Sequence, residues 1–203
     1  AGPPHETCAD IEDLGRDSAS FQANLSNTPD MERLVYEVVD RFGHLDILVN
    51  SAAIFEPGRW DDTTEANWDR HFSINLKAPF FLSQAFAKAL GEGGRGHIVN
   101  IADWRGARPG TDHVAYTLTR SGLIAMTKSL ALALAPAVQV NAIAPGLILP
   151  PPGGDESYLE AKAPSIPLKR TGSAEEIVRT LRYLVRSDFV TGELTYVTGG
   201  EHL

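Results

Sequence analysis

Cysteine is almost absent from this sequence: Cys8 stands alone among 203 residues, so no internal disulfide can form. A reducing cytoplasm is the natural setting for such a chain. Cys8 itself reads either as a reactive thiol or as a small apolar residue on a helix. Basic residues are also scarce, 18 Lys and Arg against 26 Asp and Glu, for a net charge of −8. Phosphate-rich partners need clustered cations, so nucleic acid and anionic membrane surfaces are not expected partners. No apolar run approaches the ~20 residues that span a bilayer. Ala1-Gly2-Pro3-Pro4 has neither the basic start nor the apolar stretch of a signal peptide. Also missing are His-Glu-x-x-His, a Cys/His cluster, Gly-x-x-x-x-Gly-Lys-[Ser/Thr] and Gly-x-Ser-x-Gly. Metal-assisted hydrolysis, P-loop phosphoryl transfer and acyl transfer from an elbow serine therefore lack their parts, and no metal is expected.

What is present is an alternation. Short apolar runs alternate with longer helical patterns, the mark of repeated βα units. They point to one α/β domain over residues 1–203 with a doubly wound, mostly parallel, Rossmann-like sheet. Strands are expected at residues 20–25, 46–51, 97–102, 138–144 and 194–198. Several are nearly continuous in Val, Ile and Leu, as befits strands covered on both faces. Helices are expected near 30–42, 64–90 (broken), 113–135 and 173–186. Asn27, Thr28 and Pro29 supply cap and first-turn residues for the first, and Gly43 suits its end. Pro136 stops the third. Residues 150–167 open on Pro-Pro-Pro-Gly-Gly and form the one long irregular stretch, read as a mobile substrate loop over the strand ends rather than a linker. Gly91-Glu92-Gly93-Gly94-Arg95-Gly96 spells Gly-x-Gly-x-x-Gly, but it follows a helix and precedes a strand. That is the reverse of a dinucleotide-binding context, so it reads as a connecting turn.

Ligands of open α/β sheets bind beyond the carboxyl ends of the strands. Asn50, Asp103 and Pro145-Gly146 each fall at or just after such an end, which sets them around one crevice. Tyr116 and Arg120 lie four apart, on one face of a helix. A cation beside a phenol favours the phenolate, so Arg120 is expected to lower the Tyr116 pKa toward neutrality and make it a usable proton donor. Without the neighbouring segments this pair reads as an ordinary surface pair.

Four segments in order resemble the short-chain dehydrogenase/reductase family from about residue 5 to the C-terminus. They are Leu45-Asp46-Ile47-Leu48-Val49-Asn50-Ser51-Ala52-Ala53, Asn75 within Ile74-Asn75-Leu76, the pair Tyr116 and Arg120, and Asn141-Ala142-Ile143-Ala144-Pro145-Gly146. The resemblance implies an NAD(P)-dependent oxidoreductase in which Tyr116 donates the proton. Arg120 occupies the position of the family's lysine, and Asn75 that of the asparagine that holds a water in a proton relay. Arg keeps the charge and the donors for a ribose diol, but it cannot release a proton. By the same resemblance Asn24 approaches the adenine, and Asn50, Ala52 and Ile101 pass near the ribose. Tyr116 and Arg120 contact the cofactor too, and Pro145, Gly146 and Ile148 lie near the nicotinamide amide.

One departure narrows the substrate. Most members carry serine where Val99-Asn100-Ile101-Ala102-Asp103 ends in aspartate. An ionised carboxylate is a poor oxyanion stabiliser, so a simple ketone gains nothing from this change. A carboxylate instead accepts from, or when protonated donates to, a nitrogen-rich heterocycle. Pteridine and dihydromonapterin reductases carry aspartate at this position, and an aromatic that sandwiches the pterin where Phe55 stands. These relatives imply NADP(H), with NAD not excluded, and a substrate site of Phe55, Asp103 and Tyr116. Asp103 as a mere turn cap and Phe55 as a mere core residue are the plainer readings. Trp104 is a further pocket-lining residue, and His113 a helix-start residue.

The family opens with a strand, a Gly-rich turn and a helix, and no such unit is found from Ala1 onward. In the family's strand order the two strands missing would leave a gap of about 14 Å between 20–25 and 46–51. The natural chain is therefore expected to begin further upstream. The alternative is a non-catalytic remnant that serves as an assembly or scaffold subunit, to which Arg120 and Thr198 (where Asp is usual) lend support. Helices around 76–90 and 115–135 are apolar on more faces than one sheet covers, which, with the resemblance, implies a homodimer or homotetramer.

Overall fold

Four strands pair side by side in a parallel sheet: β1 (Ile47–Asn50), β2 (Gly96–Ile101), β3 (Val138–Pro145) and β4 (Leu194–Val197), in that spatial order. The computed structural model describes residues 4–151 and 153–203. Asn50 sits opposite Asn100, Ile101 opposite Ile143 and Pro145 opposite Val197, so the carboxyl ends lie along one edge of the sheet. Parallel strands need long crossovers. Here helices α3 (Glu65–Phe72) and α4 (Ala78–Ala89) lead from β1 to β2, and α5 (Val114–Leu134) from β2 to β3. Helices α6 (Glu156–Lys162) and α7 (Ala174–Arg186) lead from β3 to β4.

The strand side chains alternate between two covered faces. Ile98, Val138 and Val140 pack with Phe86 of α4 and Ala131 of α5, and Ala142 with Leu123 of α5. Val99 and Ile143 point the other way, onto Leu184, Ile177 and Leu181 of α7. The sheet is thus doubly wound. Helix α2 (Thr28–Phe42) buries Met31 and Val35 against Ala78, Leu82 and Ala85 of α4. Its N-cap is Asn27, whose amide donates to the Asp30 carboxylate rather than capping a backbone N–H; Gly43 closes it at φ 82°.

Two expectations need correction. Residues 20–25 form no strand: they run irregularly beside α2, with no described strand alongside to take their N–H and C=O groups. A lone strand has nothing to hold it. The stretch 150–167 is not wholly irregular, since Asp155 caps α6 through the Ser157 N–H and a single 3₁₀ turn, Ala163–Ser165, follows it. Pro152 of that stretch lies outside the described residues. A polar helix, α1 (Pro4–Asp13), precedes α2 without any apolar pattern to announce it. The break expected within 64–90 is a π-helical turn, Ser73–Lys77, between α3 and α4. The Gly91–Gly96 stretch is the turn from α4 into β2.

Beyond β1 the sheet has no further described strand. Ile47 and Val49 are 43% and 39% exposed there, beside a groove of about 290 Å³ lined by Leu25, Leu34, Val38, Leu48, Ile74 and Pro79.

Candidate active site

Beyond the carboxyl end of β2, Asp103 turns the chain into a 3₁₀ helix, Trp104–Gly106. Its Oδ1 accepts from the Arg105 N–H at 2.8 Å, and its Oδ2 accepts from the Tyr116 hydroxyl at 2.7 Å. Asp103 therefore caps the turn with one oxygen and bonds Tyr116 with the other. The turn itself presses onto α5. A Cβ on Gly106 would come within 2.7 Å of the Arg120 carbonyl carbon, and Ser121 Oγ donates to the Gly106 carbonyl at 2.7 Å. Only glycine permits that approach, which sets Asp103 opposite the second turn of α5.

Tyr116 is 6% exposed. Burial raises its pKa most; the Arg120 charge pulls it down, and the Asp103 carboxylate and its hydrogen bond push it up again, leaving it at about 12. The lowering expected from Arg120 alone is therefore overturned: desolvation of the phenolate outweighs the neighbouring cation. At neutral pH the group is a phenol with its proton in place. Arg120 does lie beside it, with its guanidinium carbon 4.8 Å from the Tyr116 ring centroid, a cation–π contact. Its Nη1 donates to the Ile101 carbonyl at 3.2 Å, while its buried Nε has no partner. Among the described residues no carboxylate pairs with this buried cation.

Phe55 reaches the same place from the loop after β1. Its ring packs edge-on against Tyr116 at 4.7 Å and stacks on His113 at 4.0 Å, within 2° of parallel. It is 48% exposed, so it is not a core residue. His113 is the N-cap of α5 at φ 52°, and its Nδ1 lies 2.9 Å from the Asp112 carboxylate. Arg105 reaches Asp112 as well and lies 5.8 Å from the Phe55 ring. His113 is the helix-start residue that was expected; its stack on Phe55 and the partners Arg105 and Asp112 were not foreseen, since an αL helix start leaves no periodic signal.

Asn75 sits in the π-helical turn, a feature frequent at functional sites. Its Oδ1 accepts from the Ile54 N–H and its Nδ2 donates to the Ile54 carbonyl, both at 2.9 Å, with Thr119 Oγ1 at 3.4 Å. The side-chain amide is thus spent on protein groups and fastens the loop that carries Phe55. Asn50, at the end of β1, donates to Asn100 at 2.8 Å and leaves its own buried Oδ1 unpartnered. Ala52 is exposed just beyond it. Pro145 ends β3 and Gly146 follows, its N–H donating to the Val197 carbonyl; Ile148 continues the same loop. Asn24 is the misplaced member. It lies in an exposed turn, bonded to Ser26 and Asp30, and not at a strand end.

A family model described as Enoyl-(Acyl carrier protein) reductase matches residues 3–202. The chain belongs to the short-chain dehydrogenase/reductase family. It is 36% identical to the (2S)-[(R)-hydroxy(phenyl)methyl]succinyl-CoA dehydrogenase subunit BbsD of Thauera aromatica, covering 89% of this chain and 75% of that one. It is 31% identical to the 3-oxoacyl-[acyl-carrier-protein] reductase FabG of Staphylococcus aureus, over all of this chain and 86% of the relative. Among solved structures it resembles FolM alternative dihydrofolate reductase 1 of Brucella canis, complexed with NADP. That likeness has a TM-score of 0.90 and 37% identity, over 98% of this chain and 79% of the other. The chain is therefore a short-chain oxidoreductase by family, with the Rossmann-like fold of its relatives.

Proposed function

We propose that this short-chain dehydrogenase/reductase is an NADP(H)-dependent reductase of a pterin-type C=N bond, with Tyr116 and Asp103 handling the proton. The observation that carries the reading is the 2.7 Å bond from the Tyr116 hydroxyl to Asp103, where a carbonyl reductase of this family has a serine. A carboxylate and a phenol sharing one proton suit the edge of a pterin, where bare ring nitrogens accept and N–H groups donate. Beside them the Phe55 ring is half exposed, with His113 stacked on one of its faces. The likeness to a structure named as an alternative dihydrofolate reductase supports a pteridine ring, and its bound NADP supports the cofactor.

The residues fit the nicotinamide half of that cofactor. Arg120 is a buried cation with an unpartnered Nε beside Ile101 and Tyr116, suited to the ribose diol. Asn50, Ala52, Pro145, Gly146 and Ile148 lie along the same strand ends. When bound along these residues, a reduced nicotinamide would be the source of hydride for the carbon of the C=N bond. Tyr116, protonated up to a pKa of about 12, supplies the proton to the nitrogen, and Asp103 returns one from solvent. Phe55 holds the ring flat and excludes water.

Exposed Phe80, Leu118 and Leu132 on α4 and α5 support assembly of two or four copies through these helices, a point for sedimentation. Among the described residues no helix is long and apolar enough to cross a membrane. The test of the activity is NADPH consumption with dihydrobiopterin against simple ketones, alongside a fluorescence titration with NADPH. We expect saturable binding, pterin-dependent turnover, and a loss of about 10²–10⁴-fold in Tyr116→Phe with binding intact. Preference for ketones overturns the pterin assignment. Absence of saturable binding favours the scaffold alternative.

A further inference from the structure

We propose that His71 is a positioning residue that fixes Phe55 in the site, acting through the Glu56 backbone as a neutral imidazole protonated at Nδ1. The stacking role of Phe55 rests on the function proposed above; the ring form of His71 and the backbone clamp do not.

His71 is fully buried in α3. Its Nδ1 lies 2.8 Å from the carbonyl oxygen of Asn67, one turn earlier. A carbonyl can only accept, so Nδ1 carries the hydrogen. Its Nε2 lies 3.3 Å from the backbone nitrogen of Glu56. An amide N–H can only donate, so Nε2 presents its lone pair. Two partners of opposite polarity leave a single ring form that satisfies both.

The same segment is held at neighbouring points. The Glu56 carboxylate accepts from Asn67 Nδ2 at 3.0 Å and pairs with Arg70, both on α3. Ile54 is bonded twice by Asn75, and the Gly58 carbonyl accepts from the Val114 N–H at 2.8 Å, the first residue of α5. Phe55 therefore sits between two locked neighbours while its own ring is half exposed. His71 and Asn75 are four residues apart across the join of α3 and the π-helical turn, and each takes one side of Phe55. Without the His71 acceptor, Glu56 N–H loses its partner, and the backbone bond nearest the ring on its downstream side is lost.

A stacking contact made equally in the bound state and the transition state is felt in KM more than in kcat. The variants are His71→Phe, which keeps a ring without an acceptor, and His71→Gln, whose amide oxygen can accept from Glu56, each with and without Phe55→Ala. The probe is dihydrobiopterin. An unpaired buried N–H is expected to raise KM about tenfold in His71→Phe, with kcat within about twofold. We expect His71→Gln to recover most of that loss, and Phe55→Ala to abolish any further effect of the His71 change. Additive effects of the two changes, or an unchanged KM, overturn the assignment. Nitrogen-15 NMR of the wild-type ring decides independently, even if the variants do not fold. A bare Nε2 with protonated Nδ1 at neutral pH supports the clamp, whereas an Nε2–H or doubly protonated ring overturns it. A wild-type protein with the expected ring but no turnover of dihydrobiopterin keeps the clamp and removes the pterin reading.

Discussion

Asp103 divides its two oxygens between Tyr116, whose hydroxyl it accepts at 2.7 Å, and the Arg105 N–H at 2.8 Å. The second bond ties the carboxylate to the backbone of its own turn and so restrains the oxygen that faces Tyr116. In the proposed reaction, this holds the carboxylate to one geometry before any substrate arrives.

That pairing has a consequence for titration. Burial first, then the Asp103 carboxylate, raise Tyr116 to about 12 against the opposing pull of Arg120. The folded pKa lies above the unfolded value of about 10. The corresponding stability is fully present below pH ~10 and is lost as pH rises through ~12. Tyrosinate absorbance of the cofactor-free wild type minus Tyr116→Phe should show a midpoint near 12. In Asp103→Asn the midpoint should fall. A wild-type midpoint at or below about 10 contradicts the described environment.

Arg120 is expected to trade stability for function. It is 3% exposed, with one carbonyl and one ring face for company and a free Nε. Burying a charge without a counter-charge is costly, and an apolar side chain of similar length removes that cost. Arg120→Met should melt higher, by about 1 kcal/mol or roughly 2–4 °C, while binding NADPH at least about tenfold more weakly. Calorimetry and a fluorescence titration check the two halves. A variant that melts lower with unchanged NADPH affinity contradicts this account of the residue.

A buried polar chain ties the sheet to α5. Asn50 donates to Asn100 at 2.8 Å, and Asn100 donates to Thr127 Oγ1 at 2.9 Å. Thr127→Val keeps the shape and removes the last acceptor. Leaving the Asn100 amide unpaired should cost about 1–3 kcal/mol in urea unfolding, with an unchanged slope. No change in midpoint would mean that the chain contributes nothing.

The inner parallel strands were legible because burial on both faces writes itself as apolar runs such as Ile98-Val99 and Ala142-Ile143-Ala144. The run at 20–25 misled because a strand is a property of a pair, and pairing cannot be read from one segment. Helices α1 and α6 escaped because they have little apolar face: α1 is PHETCADIED and α6 is ESYLEAK. In the site, Asp103, Tyr116, Arg120 and Phe55 were legible through the family resemblance, and the structure brings them together. The sign of the Tyr116 shift was not, since it turns on burial. His71 stands four residues before Asn75, yet spacing alone cannot tell a ring that clamps a loop from one that fills a core. Asn24 was misplaced with its strand.

On the proposed function, Asp103 and Tyr116 together suit a ring nitrogen rather than a carbonyl oxygen. The most direct test is the ratio of kcat/KM for dihydrobiopterin over a simple ketone, measured in wild type and in Asp103→Ser. We expect the ratio to favour the pterin in wild type and to fall by about 10²-fold in the variant, chiefly through lost pterin reduction. An unchanged ratio contradicts the account.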